Sequence, residues 1–348
     1  MSAHNQACYR VLVSLAILAC LVACDHEHGQ TSLETYQERL LNVLDIELAE
    51  SDEGKLGKNW KPFSSIESVL IPADATTASI SLLDFLSLYG CELQLVIGET
   101  NSILGRLAES SQTLINELEF LRLAPDCSRQ LEEGGDDELA SELLSAIETK
   151  RNQLPRKLVS ALLGGPEARA FWKAPYHLDA YPEQASINVP QAWQALADHS
   201  RAWLQGRRYK DTQGLENTLF EVQKGDGGSL LKSYLLLHNR LSLLNERLGL
   251  FLAHTDACPR QYDQKILENV ILNFFVGDVQ VWAAALSKRQ YELMPPIHAI
   301  EESLGSALSV DYGRWRHWRD TLFFATQEEI KQHVVLLKAL TDANTCLD

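Results

Sequence analysis

The sequence predicts an all-α protein, a multi-helix bundle-like array of roughly nine or ten helices stabilised by two disulfides. Three observations carry this reading. Apolar residues recur at spacings of three and four along most of the chain, strand-type alternation bounded by turn residues is nearly absent, and residues 230–251 keep a sustained heptad seam.

In chain order, Thr31-Ser32-Leu33-Glu34 reads as a capping box, with Leu33, Tyr36, Leu40, Val43 and Leu44 following at helical spacing. Residues 47–79 read as irregular. A helix is expected over 81–101, with Leu82, Phe85, Leu86 and Tyr89 on one face, and a second from Ser110 to Leu123, ended by Pro125. A third runs from Asp136 to Leu163, kinked or split at Pro155 and stopped by Gly164-Gly165-Pro166. Residues 173–189 read as loop. Pro190 suits the first position of a helix carrying Trp193, Leu196 and Trp203. Lys224 to Gly228 is a strong break, which divides the chain into an N-terminal helical half, 31–223, and a C-terminal bundle half, 229–348, with one continuous domain as the alternative.

The seam is Leu230, Tyr234, Leu237, Leu241, Leu244, Leu248 and Phe251. A helix inside an antiparallel bundle fits it better than an isolated dimeric coiled coil, because further helices follow at once. Those are expected over 262–293, broken near Gly277 and ended at Pro295-Pro296, then over 297–308 and 312–324, and last from a second capping box at Thr326 to Thr341.

The N-terminus carries a separate message. Arg10 precedes an apolar run, Val11 to Ala23, of about 13 residues, where a membrane span needs about 20. The run fits the apolar core of a signal peptide and ends in Leu21-Val22-Ala23-Cys24, which matches a lipobox. Residues 1–23 are expected to be removed, Cys24 to carry the lipid, and 24–30 to form a polar tether. Acyl chains at about 0.8 kcal/mol per buried CH₂ would hold such a protein to a bilayer. The expected place is the periplasmic side of a membrane, with Asp25 favouring the inner membrane and the outer membrane as the alternative.

Formal net charge is −16. A surface this acidic repels nucleic-acid phosphates and anionic headgroups, so nucleic acid is set aside as a partner and membrane attachment is assigned to the lipid. Of seven cysteines, Cys8 and Cys20 leave with the signal and Cys24 is modified. Cys91, Cys127, Cys258 and Cys346 remain, an even number suited to two disulfides outside the cytosol. Cys91–Cys127 and Cys258–Cys346 are the favoured pairs, one in each half. The second pair meets only if an odd number of bundle lengths is traversed between its members, which separate helices over 297–308 and 312–324 allow and one continuous helix does not. No two of these cysteines stand in CxxC spacing, so no metal site is expected from them.

The nucleophile elbow, the HExxH zinc motif and the phosphate-binding loop are all missing, and no catalytic residue and no cofactor is assigned. His26-Glu27-His28 has ligand-type residues but sits where a polar tether is needed. Arg314-Trp315-Arg316-His317-Trp318-Arg319 places Trp315, Trp318 and Leu322 on one helical face with the arginines outward. Arg314 and Arg316 are candidate anion or partner contacts, against the plainer reading of a docking helix with a solvated basic face. The other candidate site is the polar stretch Asn101, Ser102, Gly105, Arg106, Ser111 and Gln112, at the turn between two apolar helices. Two readings stay open there, a pair of helix caps or a ligand-binding turn.

Several stretches together resemble a family. They are Leu82-Leu83-Asp84-Phe85-Leu86 through Cys91, Asn101-Ser102 with Gly105-Arg106, Ser111-Gln112, Phe120-Leu121-Arg122-Leu123-Ala124-Pro125 before Cys127, Gly164-Gly165-Pro166-Glu167, and Leu244 to Pro259. They are similar to a family of proteobacterial lipoproteins, domain of unknown function 3080. The resemblance implies an envelope lipoprotein of one unit with no assigned activity, and it adds weight to the 101–112 turn and to paired cysteines. The functional expectation is a lipid-anchored envelope protein that binds or scaffolds an envelope partner. A small-ligand binder between helices and a periplasmic hydrolase or cell-wall enzyme are the alternatives.

Overall fold

A computed structural model describes residues 28–48, residues 90–253 apart from Arg208, Lys210, Asp211 and Gln213, and residues 264–342. The signal segment, Cys24, most of the tether, the irregular stretch after residue 48, the helix start at 81, Cys258 and Cys346 lie outside them. Among the described residues there is no β-strand.

The elements are α1 (His28–Leu44), α2 (Leu93–Asn101), α3 (Ile103–Arg106), α4 (Ser110–Glu133), α5 (Asp137–Leu158) continued by a π turn (Val159–Leu163), α6 (Pro166–Phe171), α7 (Asn188–Leu204), α8 (Leu215–Gln223), α9 (Gly227–Ala253), α10 (Gln264–Ser303) and α11 (Val310–Asp342). Within α10, Ile271–Val279 has π geometry. The all-α reading holds. Of the two expected disulfides, Cys91–Cys127 is present with its Cα atoms 5.9 Å apart, and its partner pair lies outside the described residues.

Several expected helix ends are overridden by packing. Pro125 does not end α4, which runs on to Glu133. The proline removes one ladder hydrogen bond. Leu121, Ala124, Cys127 and Ser128 are buried on both sides of it, and the disulfide ties the next turn to Cys91, so helical burial outweighs the loss. Pro295 and Pro296 are likewise inside α10, between buried Leu293, Met294, Ile297 and Ile300. Thr326 does not begin a helix: its hydroxyl donates to the Leu322 carbonyl (2.7 Å) within α11, fully buried. The two short helices expected at 297–308 and 312–324 are instead the end of α10 and the start of α11. At the other extreme, α1 begins at His28, three residues before the Thr31 capping box, with Gly29 against the Trp282 indole. Pro190 is the third residue of α7 rather than the first, and α6 and α8 were not foreseen.

Tandem packing fixes the topology. α4 and α5 form a helical hairpin, with α2 laid on α4. α9 packs along α11, so Leu230, Tyr234, Leu237, Leu241, Leu244 and Leu248 are buried within one chain and Phe251 is half-buried. Tyr234 meets Thr326, while Asn245 meets Glu329, so α9 and α11 advance in the same direction with α10 returning between them. Two traverses thus bring the chain back to the end where α9 finished, which corrects the odd-number condition set for Cys258 and Cys346. α1 packs on α9 and on the π segment of α10, and α7 packs on α10, so contacts cross the 224–228 break in both directions.

α10 is long and apolar enough by length and composition to cross a membrane, with a mean hydropathy of 1.5 in its most apolar window. In this fold 33% of that window is buried: Phe275, Val279, Trp282 and Leu286 pack on neighbours while Leu272, Val276 and Val281 are exposed, and the rest of the helix carries Arg289 and Glu301 as buried members of ion pairs.

Candidate binding site at the α2–α4 turn

α2 stops at Asn101 because Ser102 turns extended (φ −62°, ψ 163°). Ser102 then serves both helices that meet there. Its hydroxyl donates to the Glu99 carbonyl (2.7 Å) and accepts from the Gly105 N–H (2.9 Å), as a helix N-cap does. Arg106 reaches back, and its Nε and Nη2 donate to the Asn101 carbonyl at 3.1 and 3.0 Å, closing the C-terminal end of α2. Gly105 lies so close to α2 that a Cβ there would run into the Glu99 and Thr100 carbonyls. Gln112 donates to Asn116 (3.0 Å), and Ser111 is buried at the start of α4. The capping reading therefore accounts for Ser102, Gly105 and Arg106, and for Asn101 through its carbonyl.

With the polar groups turned onto the backbone, apolar side chains are left outward. Leu95, Ile103, Leu104 and Leu107 are 71–82% exposed. Beside them lies a groove of about 640 Å³, bounded by α2, α3 and the first turns of α4 and lined by Leu95, Gly98, Ser102, Leu104, Gly105 and Gln112 among others. Three of the six predicted residues, Ser102, Gly105 and Gln112, thus line one groove; Asn101, Arg106 and Ser111 support its walls.

Arg314 and Arg316 sit elsewhere, on α11. Arg314 is exposed and pairs with Asp311 (2.7 Å), and Arg316 is half-buried. The expectation that the arginines of 314–319 all face outward fails at Arg319, which is fully buried. Its Nη1 and Nη2 donate to the two Glu301 oxygens (2.8 and 2.9 Å), its Nε donates to Asp320 (2.8 Å), and its guanidinium lies within 5.5 Å of the centroids of both the Trp172 and Trp315 rings, which contact each other. Burial opposes its charge, but the Glu301 carboxylate holds its pKa above the ordinary arginine value. Tyr312 donates to Glu301 (2.7 Å), and burial, reinforced by that carboxylate, pushes its pKa well up. Position 319 stands four residues from Trp315 and three from Leu322, on the apolar stripe, and that spacing was the available signal.

A second buried chain has one consistent direction. Asn245 Nδ2 donates to Glu329, so Asn245 Oδ1 faces His333 Nδ1 as acceptor (2.7 Å). His333 must then donate from Nδ1 and accept at Nε2 from the Tyr36 hydroxyl (2.6 Å), a tautomer assigned from the network. Burial lowers the His333 pKa to about 3, so it is neutral, and it joins α1 to α11. A smaller cleft of about 260 Å³ between α10 and α11 is lined by Ser287, Gln290, Tyr291, His298 and Gln327. His298 bonds Asp320 at its edge (3.2 Å). Burial works against the Asp320 carboxylate, but its bonds to His298 and Arg319 keep its pKa below the usual value. Among the described residues, no group of three or more His, Cys, Asp or Glu side chains is placed to hold a metal.

A family model described as "Protein of unknown function (DUF3080)" matches residues 33–334. No curated protein and no solved structure matches the chain.

Proposed function

From the premise that the chain belongs to the DUF3080 family, we propose that it is a lipid-anchored envelope protein that binds a protein partner through the apolar surface of the α2–α4 turn. The observation that carries the reading is a division of labour within the turn. Its hydrogen-bonding side chains close helix ends, while Leu95, Ile103, Leu104 and Leu107 are exposed beside a groove. Clustered apolar side chains on a rigid support suit an apolar partner surface. The Leu-Val-Ala-Cys24 sequence supports lipid attachment at Cys24 and a position on the periplasmic side of a membrane.

The test is photo-cross-linking in intact cells, with benzoylphenylalanine replacing Leu104 or Leu107. A reproducible protein adduct at both positions, lost on Leu95→Asp, is expected. A folded, membrane-bound chain that gives no protein adduct at either position overturns the reading. Attachment itself is read by mass: the mature chain begins at a diacylglycerol-modified Cys24, and Cys24→Ala leaves the chain unprocessed. A second reading is a small apolar ligand, favoured by the groove's volume, which lies within the range of ligand pockets. It predicts a rise in melting temperature with a small apolar compound, abolished by Gly98→Leu.

A further inference from the structure

The lipid tether is short compared with the bundle, and that constrains how the molecule meets a membrane. From Cys24 to His28 the chain advances four residues, which span at most about 14 Å in any conformation. α1 then starts against α10, with Gly29 on the Trp282 indole. α1 runs antiparallel to α10, since Gly29 meets Trp282 while Tyr36 meets Phe275. The first turn of α1 therefore faces the Ser303 end of α10. That helix continues past Trp282 for about 30 Å at 1.5 Å per residue, roughly twice what the tether can reach. Cys24 is thus held within about 14 Å of His28, short of the Ser303 end of α10, so the start of α1 marks the anchor's exit from the described bundle.

The part of the described molecule beside that exit is the 173–187 loop. Trp282 Nε1 donates to the Tyr181 carbonyl (3.0 Å), so one indole touches both the start of α1 and the loop. The loop is held along its length. Lys232 donates to the Pro175 and Tyr176 carbonyls (3.1 and 2.6 Å), the Tyr181 hydroxyl to Asp226 (2.8 Å), and Arg289 to the Ser186 carbonyl (3.0 Å). From this fixed backbone Tyr176 and Ile187 project at 88% and 77% exposure. Tyrosine, apolar in its ring and polar at its tip, favours the headgroup level of a bilayer.

We infer that the anchored protein lies on its side on the bilayer, with the 173–187 loop as a second membrane contact and Tyr176 and Ile187 entering the headgroup layer. This rests on the lipid anchor proposed above. The occupant is a lipid surface, so the test uses the mature lipidated chain in vesicles of phosphatidylethanolamine and phosphatidylglycerol. Benzoylphenylalanine replaces Tyr176, Ile187 or, as control, Val335. Val335 is 60% exposed and two positions from His333, whose ring contacts α1, so it points away from α1. After irradiation, a phospholipid mass adduct several-fold more abundant at 176 and 187 than at 335 is expected. If the chain floats with the vesicles but 176 and 187 give no more adduct than 335, or give adducts only between protein chains, the inference is overturned and the anchor stands. If the chain does not float with vesicles, the anchor fails and the inference falls with it.

Discussion

Arg319 and His333 show how much a single buried polar residue can determine in this protein. Replacing Arg319 by methionine leaves the Glu301 carboxylate buried with only Tyr312 as partner, and a broken buried pair costs about 3–5 kcal/mol. Urea unfolding is expected to show that loss for Arg319→Met, and a smaller loss for Arg319→Met combined with Glu301→Leu, because the double change removes the stranded charge. His333 makes stability depend on pH. Its folded pKa, about 3, is below the ordinary 6.5, so its neutral form stabilises the fold in full above pH 6.5, and that contribution is lost as pH falls toward 3. The slope is about 1.4 kcal/mol per pH unit, or about 2 kcal/mol between pH 6.5 and 5. His333→Gln, which keeps an acceptor for Tyr36 but cannot be protonated, is expected to flatten that part of the denaturation-midpoint profile. Neither residue was legible as buried: their neighbours, not their own chemistry, make them so. The helical stripe from Trp315 through Arg319, Leu322 and Thr326 to His333 was present in the sequence, but a charged residue on an apolar stripe is ordinarily read as a boundary of the stripe.

At the scale of elements, periodicity located the helices well, and the Gly164-Gly165 stop and the 224–228 break held, but prolines located helix ends poorly. Pro125, Pro155, Pro295 and Pro296 all sit inside helices, because apolar residues on both sides stay buried only if the helix continues. Glycine behaved differently where its lack of a side chain mattered. Gly105→Ala would push α3 off the end of α2, since the new Cβ meets the Glu99 and Thr100 carbonyls. A cost of about 1–3 kcal/mol is expected, with faster amide exchange confined to residues 99–110, read by hydrogen-exchange mass spectrometry. The polar turn itself was legible as unusual. What it was for was not, because a hydroxyl or guanidinium that caps a helix and one that binds a ligand look the same in sequence. The heptad seam on α9 was legible in full, and the structure supplies its partner, α11.

For the whole molecule, the cross-links and long-range contacts hold the α2–α4 surface in place. The Cys91–Cys127 bridge closes a loop of 36 residues that carries the entire turn, and its loss is expected to cost about 3–4 kcal/mol by the chain-entropy estimate. Cys127→Ser should therefore lower the melting temperature and also weaken the Leu104 cross-link. Leu104→Asp should abolish the cross-link with no change in melting temperature, because an exposed side chain contributes little to the fold. That pair of outcomes separates loss of the surface from loss of the support beneath it.

By itself the sequence determined the all-α class and the α9 seam, because each is written in local spacing, and it favoured Cys91–Cys127 among the possible cysteine pairs, which the structure shows. The tertiary structure alone decided which prolines a helix tolerates, that Arg319 and His333 are interior, that α9 and α11 run in the same direction, and which residues of the polar turn are caps. Each of these depends on what packs against a residue from a distant part of the chain, and burial energy from such contacts exceeds the local preferences that a sequence displays.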